Sequence, residues 1–557
     1  MSVLDLTRLK KEEIKHLSKI KEKLLKQYEI VLNDVYEKEN PNLNIYLSTI
    51  LSRDHSLSFI FPNICYLHLV KELLKKRKYK LIISPNYPLG AQIKYYTRGK
   101  GYSVKVRNKS SAYFFCNLIL KNFKDLIYNI IYSLKSIYSS DHNRKRKLNK
   151  EDIILIDTFI VPEEFQDGNY VSRHYNHDSL YELATREVIK KIYFVPTIVG
   201  TLQIGKTIKR TLSYKKSKFL LKNDYLKPVD YFNAIFGLIG LKAKSFYGVT
   251  AKKMQLKPLI SLDYYNNLFN HGTFLGLLNI YFFKRLQQDH VTVSTVINWF
   301  ENQVQDKGFN IGVRKYFPDA RLKGYQPFGL YLDHLIISKD EYKNKLVPDE
   351  IFVCARDFLK IAKSKEPKLN VGVLPSFRNL NLKFSKYGGI NFKNMLSVYI
   401  ILPINILIAK QMIEIANRMN LGSEFKIILQ HHPEIPKNFL KTIDIKNYQV
   451  TYQPFKKIIN KADLTVMNGS STIIESLAYA KPTIILHTQS SVFINDLIPE
   501  YANPIVSHCW DEADLARSIN KFVSNPKSVK EHNQIAFNIR KNYFKPIKKS
   551  ALYKFLQ

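Results

Sequence analysis

Two hydrophobic rhythms divide this chain. Residues 5–37 place apolar side chains at helical spacing with Lys and Glu between them, which predicts one long charged helix. Later, short apolar runs bounded by turn residues recur, as expected of buried strands. Strands are expected at 80–84, 102–106, 153–156, 192–196, 296–300, 321–325, 350–354, 370–374, 398–403, 425–429, 449–452, 464–467 and 483–486. Helical patterns fall between them at 89–99, 306–316, 406–419 and 455–460. Such alternation predicts parallel sheets of the α/β class. Residues 211–290 read mainly as helices with basic loops. Residues 111–138 read as an amphipathic helix interrupted by Lys121, Lys124, Asp125 and Lys135. It is expected to pack on its own domain, with an interfacial position on a membrane as the alternative.

Residues 463–486 carry the strongest chemical signal. An apolar strand stops at the turn pair Asn468-Gly469, and Ser470, Ser471 and Thr472 stand where a helix begins. Free N–H groups and a partial positive charge at a helix start suit phosphate. Thr472-x-x-Glu475 is also a capping box, and capping explains both residues equally well. A second segment adds to the ligand reading. The run 425–429 ends in Gln430-His431-His432-Pro433, where proline stops the strand and leaves two histidines at its carboxyl end. Ligands of open parallel sheets bind at the carboxyl ends of strands.

The His431-His432-Pro433 and Gly469-Ser470-Ser471-Thr472…Glu475…Lys481-Pro482 segments resemble the donor half of GT-B glycosyltransferases, especially bacterial enzymes of capsule and lipopolysaccharide synthesis. The resemblance spans about residues 290–520. It implies nucleotide contact by His432 with His431 beside it, phosphate contact by Ser470, Ser471 and Thr472, and a ribose or sugar contact by Glu475. It implies an α/β chain with two Rossmann-like domains facing a cleft and an N-terminal helical extension. The expected divisions are a charged helical extension at 1–50, an acceptor domain with helical insertions at 51–355, a donor domain at 369–525 and a tail helix at 526–557 that crosses back to the first domain. Residues 355–368 are read as the linker.

Other candidates follow from position. Glu301, in Glu301-Asn302-Gln303 after a strand, is a candidate general base or acceptor contact, or else a cap of the following helix. Asp157 is placed at the end of the strand 153–156, where catalytic groups stand, with a cap or loop contact as the alternative. Asp167, Arg173 and His174 lie in a polar-aromatic loop suited to a sugar acceptor. Arg378, in the loop after 370–374, could hold a phosphate through its planar fork or make a surface ion pair.

Composition narrows the partners. The chain has 557 residues, too many for one ordinary core, with 86 Lys+Arg against 47 Asp+Glu and a net charge of +39. The lysines are spread along the chain rather than concentrated in a basic helix, so nucleic acid is not expected, while an anionic inner-membrane surface is a candidate partner. Met1-Ser-Val-Leu-Asp leads into a Lys/Glu-rich helix, so no secretory signal is expected. Four cysteines without metal spacing fit a reducing cytoplasm, and the protein is expected there or at the inner face of the cytoplasmic membrane. No Asp-x-Asp or His/Asp/Glu cluster is positioned for a metal, so no metal or cofactor is expected. The resemblance implies a nucleotide-sugar donor and a glycan or lipid-linked acceptor, with CMP as the expected nucleotide because the His-Pro and paired Ser/Thr segments also resemble those of bacterial transferases that use CMP-linked acidic sugars. Gln166-Asp167-Gly168 only partly echoes the acidic motif of sialyltransferases, which weakens sialyl transfer. The alternatives are a CDP-polyol phosphotransferase of the teichoic-acid type and a non-enzymatic protein binding a membrane or nucleic acid.

Overall fold

The computed structural model describes all residues except 1, 39–42, 53–57, 109, 142–151, 167–168, 171, 173, 176, 241–248, 252–253, 328–336, 338, 381, 387, 390–394, 434, 446–447, 495–497 and 525–526. An N-terminal unit comes first. β1 (Val3–Asp5) leads into α1 (Lys11–Lys38), and β1 pairs in parallel with β2 (Leu81–Ile83), which pairs with β3 (Lys105–Arg107). The long charged helix therefore begins after a strand that the charge pattern hid. α1 turns Leu17, Leu24, Tyr28 and Val31 inward and reaches the second domain, where the Gln489 side chain bonds the backbone at Leu6 and Leu9. α2 (Ser111–Tyr138) follows β3 and has an unusual burial pattern. Its polar Asn122, Asn129, Ser133 and Ser136 are buried, while most of its large apolar side chains are exposed.

The first large sheet comprises β4 (Ile153–Ile160), β5 (Ile192–Ile198), β6 (Val293–Trp299), β7 (Arg321–Gln326), β8 (Glu350–Val353) and β9 (Asn370–Val373). α3 (Ile204–Ser213), α4 (Pro228–Gly240) and α5 (His271–Gln288) connect β5 to β6, α6 (Val304–Tyr316) follows β6, and α7 (Arg356–Lys365) follows β8. All neighbours are parallel, in the spatial order β9-β8-β7-β6-β4-β5. The strand direction of crossover reverses between β4 and β6, which makes that crevice a switch point.

The second large sheet comprises β10 (Leu396–Ile401), β11 (Phe425–Gln430), β12 (Gln449–Thr451), β13 (Leu464–Met467), β14 (Thr483–Leu486) and β15 (Val506–Cys509). α8 (Ile406–Arg418) follows β10, and α9 (Thr472–Ala478) joins β13 to β14. The spatial order β12-β11-β10-β13-β14-β15 is a Rossmann order of 3-2-1-4-5-6, with its switch point between β10 and β13. Two six-stranded parallel sheets with helical crossovers thus give the α/β class with two Rossmann-like domains.

Three sequence expectations change. β9 pairs with β8, so residues 370–373 close the first sheet rather than open a domain at 369. The expected linker 355–368 contains helix α7, an ordinary crossover between β8 and β9. β4 runs past Asp157 to Ile160, so this acid sits inside the sheet, not at its end. Its polarity is accommodated by Lys222 at 3.9 Å and by the Trp299 backbone N–H. α10 (Val529–Tyr543) covers α9, and α11 (Lys549–Leu556) lies on the first domain. There Leu552 and Phe555 join the first core, and Lys554 pairs with Glu350 at 2.7 Å. One apolar cluster spans both sheets, including Phe300 and Val353 from the first, Met467 and Leu477 from the second, and Tyr543 from α10.

Candidate functional site

The carboxyl end of β13 builds one wall. Asn468 is buried and its Nδ2 donates to Leu486 O (2.7 Å) and Ser491 Oγ (3.0 Å), which anchors the strand end to its neighbour. Gly469 then takes φ = 59°, a left-handed turn that glycine adopts without strain. Ser470 Oγ lies 2.7 Å from Thr472 Oγ1 and accepts from the Thr472 N–H at 3.3 Å. The capping box allowed by the sequence is not formed. The N-cap is Ser471, one residue earlier, and its own side chain makes no cap hydrogen bond. Ser471 is exposed, and Ser470, Thr472 and Glu475 are half-buried. α9 is pinned underneath by Ser476, whose hydroxyl meets Thr465 (2.9 Å) and Thr483 (3.1 Å).

Glu475 faces positive charge. Burial raises its carboxyl above the usual range, while Lys456 and Arg378 pull it back down. Arg378 leaves the last strand of the first sheet, so this encounter joins the two domains. A narrow groove lies between them, lined by Cys354 and Arg378 from the first sheet's loops, Ser471 and Glu475 from the second, and Tyr543 and Phe544 from the end of α10. Across the switch point, His431 and His432 end β11, two strand spacings from β13, or about 10 Å. His431 is buried with its ring 5.1 Å from Tyr452, whereas His432 is half-buried at the rim.

The carboxyl ends of β4 and β6 form a second cluster. Glu301 accepts from Trp299 Nε1 (2.9 Å) and Gln303 Nε2 (2.6 Å). It does not cap α6, because Asp306 takes that role by accepting the backbone N–H groups of Glu301 (2.8 Å) and Gln303 (3.1 Å). Asn302 between them is left-handed at φ = 57°, a conformation asparagine tolerates. The His174 ring stands edge-on to Trp299 at 4.4 Å, so His174 and Glu301 both contact the same indole. Asp167 and Arg173 lie outside the described residues. Asp157 is buried behind this cluster. Desolvation raises its carboxyl and lowers the Lys222 ammonium, which donates to Thr197 (2.5 Å) and Asn279 (2.7 Å).

An aromatic chain connects the two clusters. Tyr175 meets Trp299 and Tyr325, each at 5.5 Å, and Tyr325 meets Phe377 at 5.8 Å. The Tyr325 hydroxyl accepts the Phe377 N–H (3.0 Å) and donates to Pro375 O (3.3 Å), which fixes the loop that carries Arg378. Sequence reasoning missed Lys456, Tyr543 and Phe544. The last two reach the groove from the far end of the chain, and no local pattern marks them. At the carboxyl end of β10 the exposed Ile404, Ile406 and Leu407 were also missed, although apolar residues beside Pro403 and Asn405 were a legible signal.

By sequence, no family model and no curated protein matches this chain. Solved structures are similar to it at low identity. The glycosyltransferase SnogD from Streptomyces nogalater aligns at 9% identity and TM-score 0.38, over 73% of this chain and 99% of its own. Acinetobacter baumannii MurG aligns at 11% and 0.36, over 73% and 98%. A UDP-N-acetylglucosamine 2-epimerase aligns at 10% and 0.35, over 70% and 94%. Superposition is loose at these scores, and the fold assignment rests on this chain's own strand orders.

Proposed function

We propose that this protein is a GT-B glycosyltransferase that moves a sugar from a nucleotide-sugar donor onto a cell-surface polysaccharide or lipid-linked glycan. The observation that carries the reading is the groove lined by Arg378 from the first domain and by Ser471 and Glu475 from the second, beside the carboxyl end of β13, one of the two strands that flank the switch point of a Rossmann sheet. The nucleotide base lies toward His432, and the phosphates lie at the 470–472 turn. Arg378 and Lys456 offset charge on the departing phosphate. Glu475 accepts hydroxyls of the ribose or sugar. An acceptor hydroxyl attacks the anomeric carbon, the bond from that carbon to the phosphate oxygen breaks, and Glu301 takes the hydroxyl proton. Trp299 and Gln303 hold the carboxylate in place for this step, and His174 lines the acceptor side.

The test incubates the full chain with CMP-, CDP-, UDP- and GDP-linked sugars and a bacterial glycolipid extract. Nucleotide release and glycolipid mass are followed together. The reading expects release from one donor that depends on the extract, a mass gain of one sugar, and loss of both in Arg378→Ala. A mass gain of one phosphopolyol would replace it with the teichoic-acid alternative. Donor interconversion without acceptor would replace it with epimerisation.

A further inference from the structure

A helix that packs on a protein core turns apolar residues inward, whereas α2 buries four polar side chains beside Tyr132 and leaves most of its large apolar ones exposed. Asn122 Nδ2 donates inward to Tyr265 O (2.7 Å), and Asn129 Nδ2 to Phe269 O (3.0 Å), with Ser133 and Ser136 buried beside them. Leu120, Phe123, Ile127, Ile130, Leu134 and Tyr138 point outward in steps of three and four, which makes one continuous stripe. Leu120, Phe123 and Leu134 are 64%, 60% and 62% exposed, values that no core-facing stripe shows. The stripe is about 27 Å long at the rise of an α-helix. α4 packs against α2 and adds a second outward stripe of Val229, Phe232, Phe236 and Ile239. Contiguous apolar surface of this kind marks an interaction site rather than ordinary solvent exposure.

The charges around the stripes identify the occupant. α2, α3 and α4 contain two acidic residues between them, Asp125 and Asp230. Lys121 holds Asp125 at 2.9 Å, and Arg285 holds the buried Asp230 at 2.6 Å. Lys124, Lys135, Lys206, Lys209 and Lys227 are exposed, so the rim is positive. A symmetric pairing of two copies through this face would set lysines against lysines. Anionic headgroups complement the rim, and acyl chains complement the stripes. No helix among the described residues is long and apolar enough to cross a membrane, so these helices would lie in its surface. We propose that α2 and α4 form a docking face that lies in the interfacial layer of an anionic phospholipid bilayer. This face is separate from the groove and does not depend on the donor assignment.

Cys116 offers a direct probe, because it is exposed on α2 while Cys65, Cys354 and Cys509 are buried. The full chain, labelled there with an environment-sensitive dye, is mixed with vesicles of phosphatidylcholine alone or with phosphatidylglycerol added. Flotation of the unlabelled chain is measured in parallel, and light scattering reports the oligomeric state. The proposal expects a blue shift and flotation with the anionic vesicles, weakened by salt. It expects the double variant Phe123→Glu/Leu134→Glu to cut partitioning at least tenfold with an unchanged melting temperature. Failure to float with anionic vesicles would overturn it, as would binding that the double variant leaves intact. A dimer that this variant dissociates, in place of vesicle binding, would assign the face to a second copy instead.

Discussion

Replacing Gly308 with Ala tests how the first domain seats its acidic turn. Gly308 lies where α6 crosses α5, and an added Cβ would stand 2.2 Å from Gly276 O and 2.5 Å from Gly276 C and Cα. Ordinary contact begins near 3.4 Å, so the helices must separate by about 1.2 Å. Every atom in the way is backbone, and no side-chain tip can rotate aside. Alanine gains about 1 kcal/mol of helix propensity over glycine. Overpacking costs about 1–3 kcal/mol in ordinary cores, and a backbone-on-backbone clash belongs at the upper end. The net effect is destabilisation of about 2 kcal/mol. Gly237→Ala is the matched control. It lies inside α4, and its new Cβ would meet only the tip of Leu277 at 3.0 Å, so propensity should win and the change should be neutral or slightly stabilising. Urea unfolding followed by circular dichroism compares the first transition of each variant with wild type. Gly308→Ala should unfold at clearly lower urea and should also lose transfer activity, since α6 begins at the turn that holds Glu301. Equal midpoints for the two variants would refute the close crossing.

Glu301→Gln places an amide N–H₂ against the Trp299 or Gln303 donor, which costs about 1–2 kcal/mol of stability. A base at this position further requires turnover to fall at least about 100-fold in the glycolipid assay, whereas a stability loss with normal turnover would make Glu301 a structural tie. Burial against Phe194 lowers the His177 imidazole to about 3 from an ordinary 6.5. A depressed value means stability that is complete above 6.5 and is lost as pH falls toward 3, amounting to about 2 kcal/mol at about pH 5. The fall in urea midpoint between pH 7 and pH 5 should therefore shrink in His177→Gln, and an identical fall would contradict the burial argument. Lys307 and Glu341 form a fully buried ion pair at 2.8 Å, so Glu341→Ala should cost about 3–5 kcal/mol by stranding the ammonium, and a loss below about 1 kcal/mol would show that the lysine escapes to water.

The strands were legible because buried parallel strands are short apolar runs that end in turn residues, as at Asn468-Gly469 and His432-Pro433. Their partners were not. A parallel strand looks alike in either sheet, so 370–373 gave no sign that it would pair with β8. Asp157-Thr158 looked like a strand end because polarity there is compensated by Lys222, 65 residues later in sequence and invisible to a local pattern. α2 was recognised as amphipathic, but periodicity cannot say which face turns inward. Within the candidate site, Ser471 and Glu475 stand out in the sequence through a local motif, and in the structure Arg378 lines the same groove. Tyr543 and Phe544 were not, because the tail reaches the groove only through the folded chain.

Titration calorimetry with CMP, CDP, UDP and GDP bears most directly on the central claim. The account predicts that one nucleotide binds wild type, and that Ser471→Ala and Glu475→Ala each weaken it at least tenfold with unchanged melting temperature. Binding that both variants leave intact, or no binding by any of the four, would contradict it.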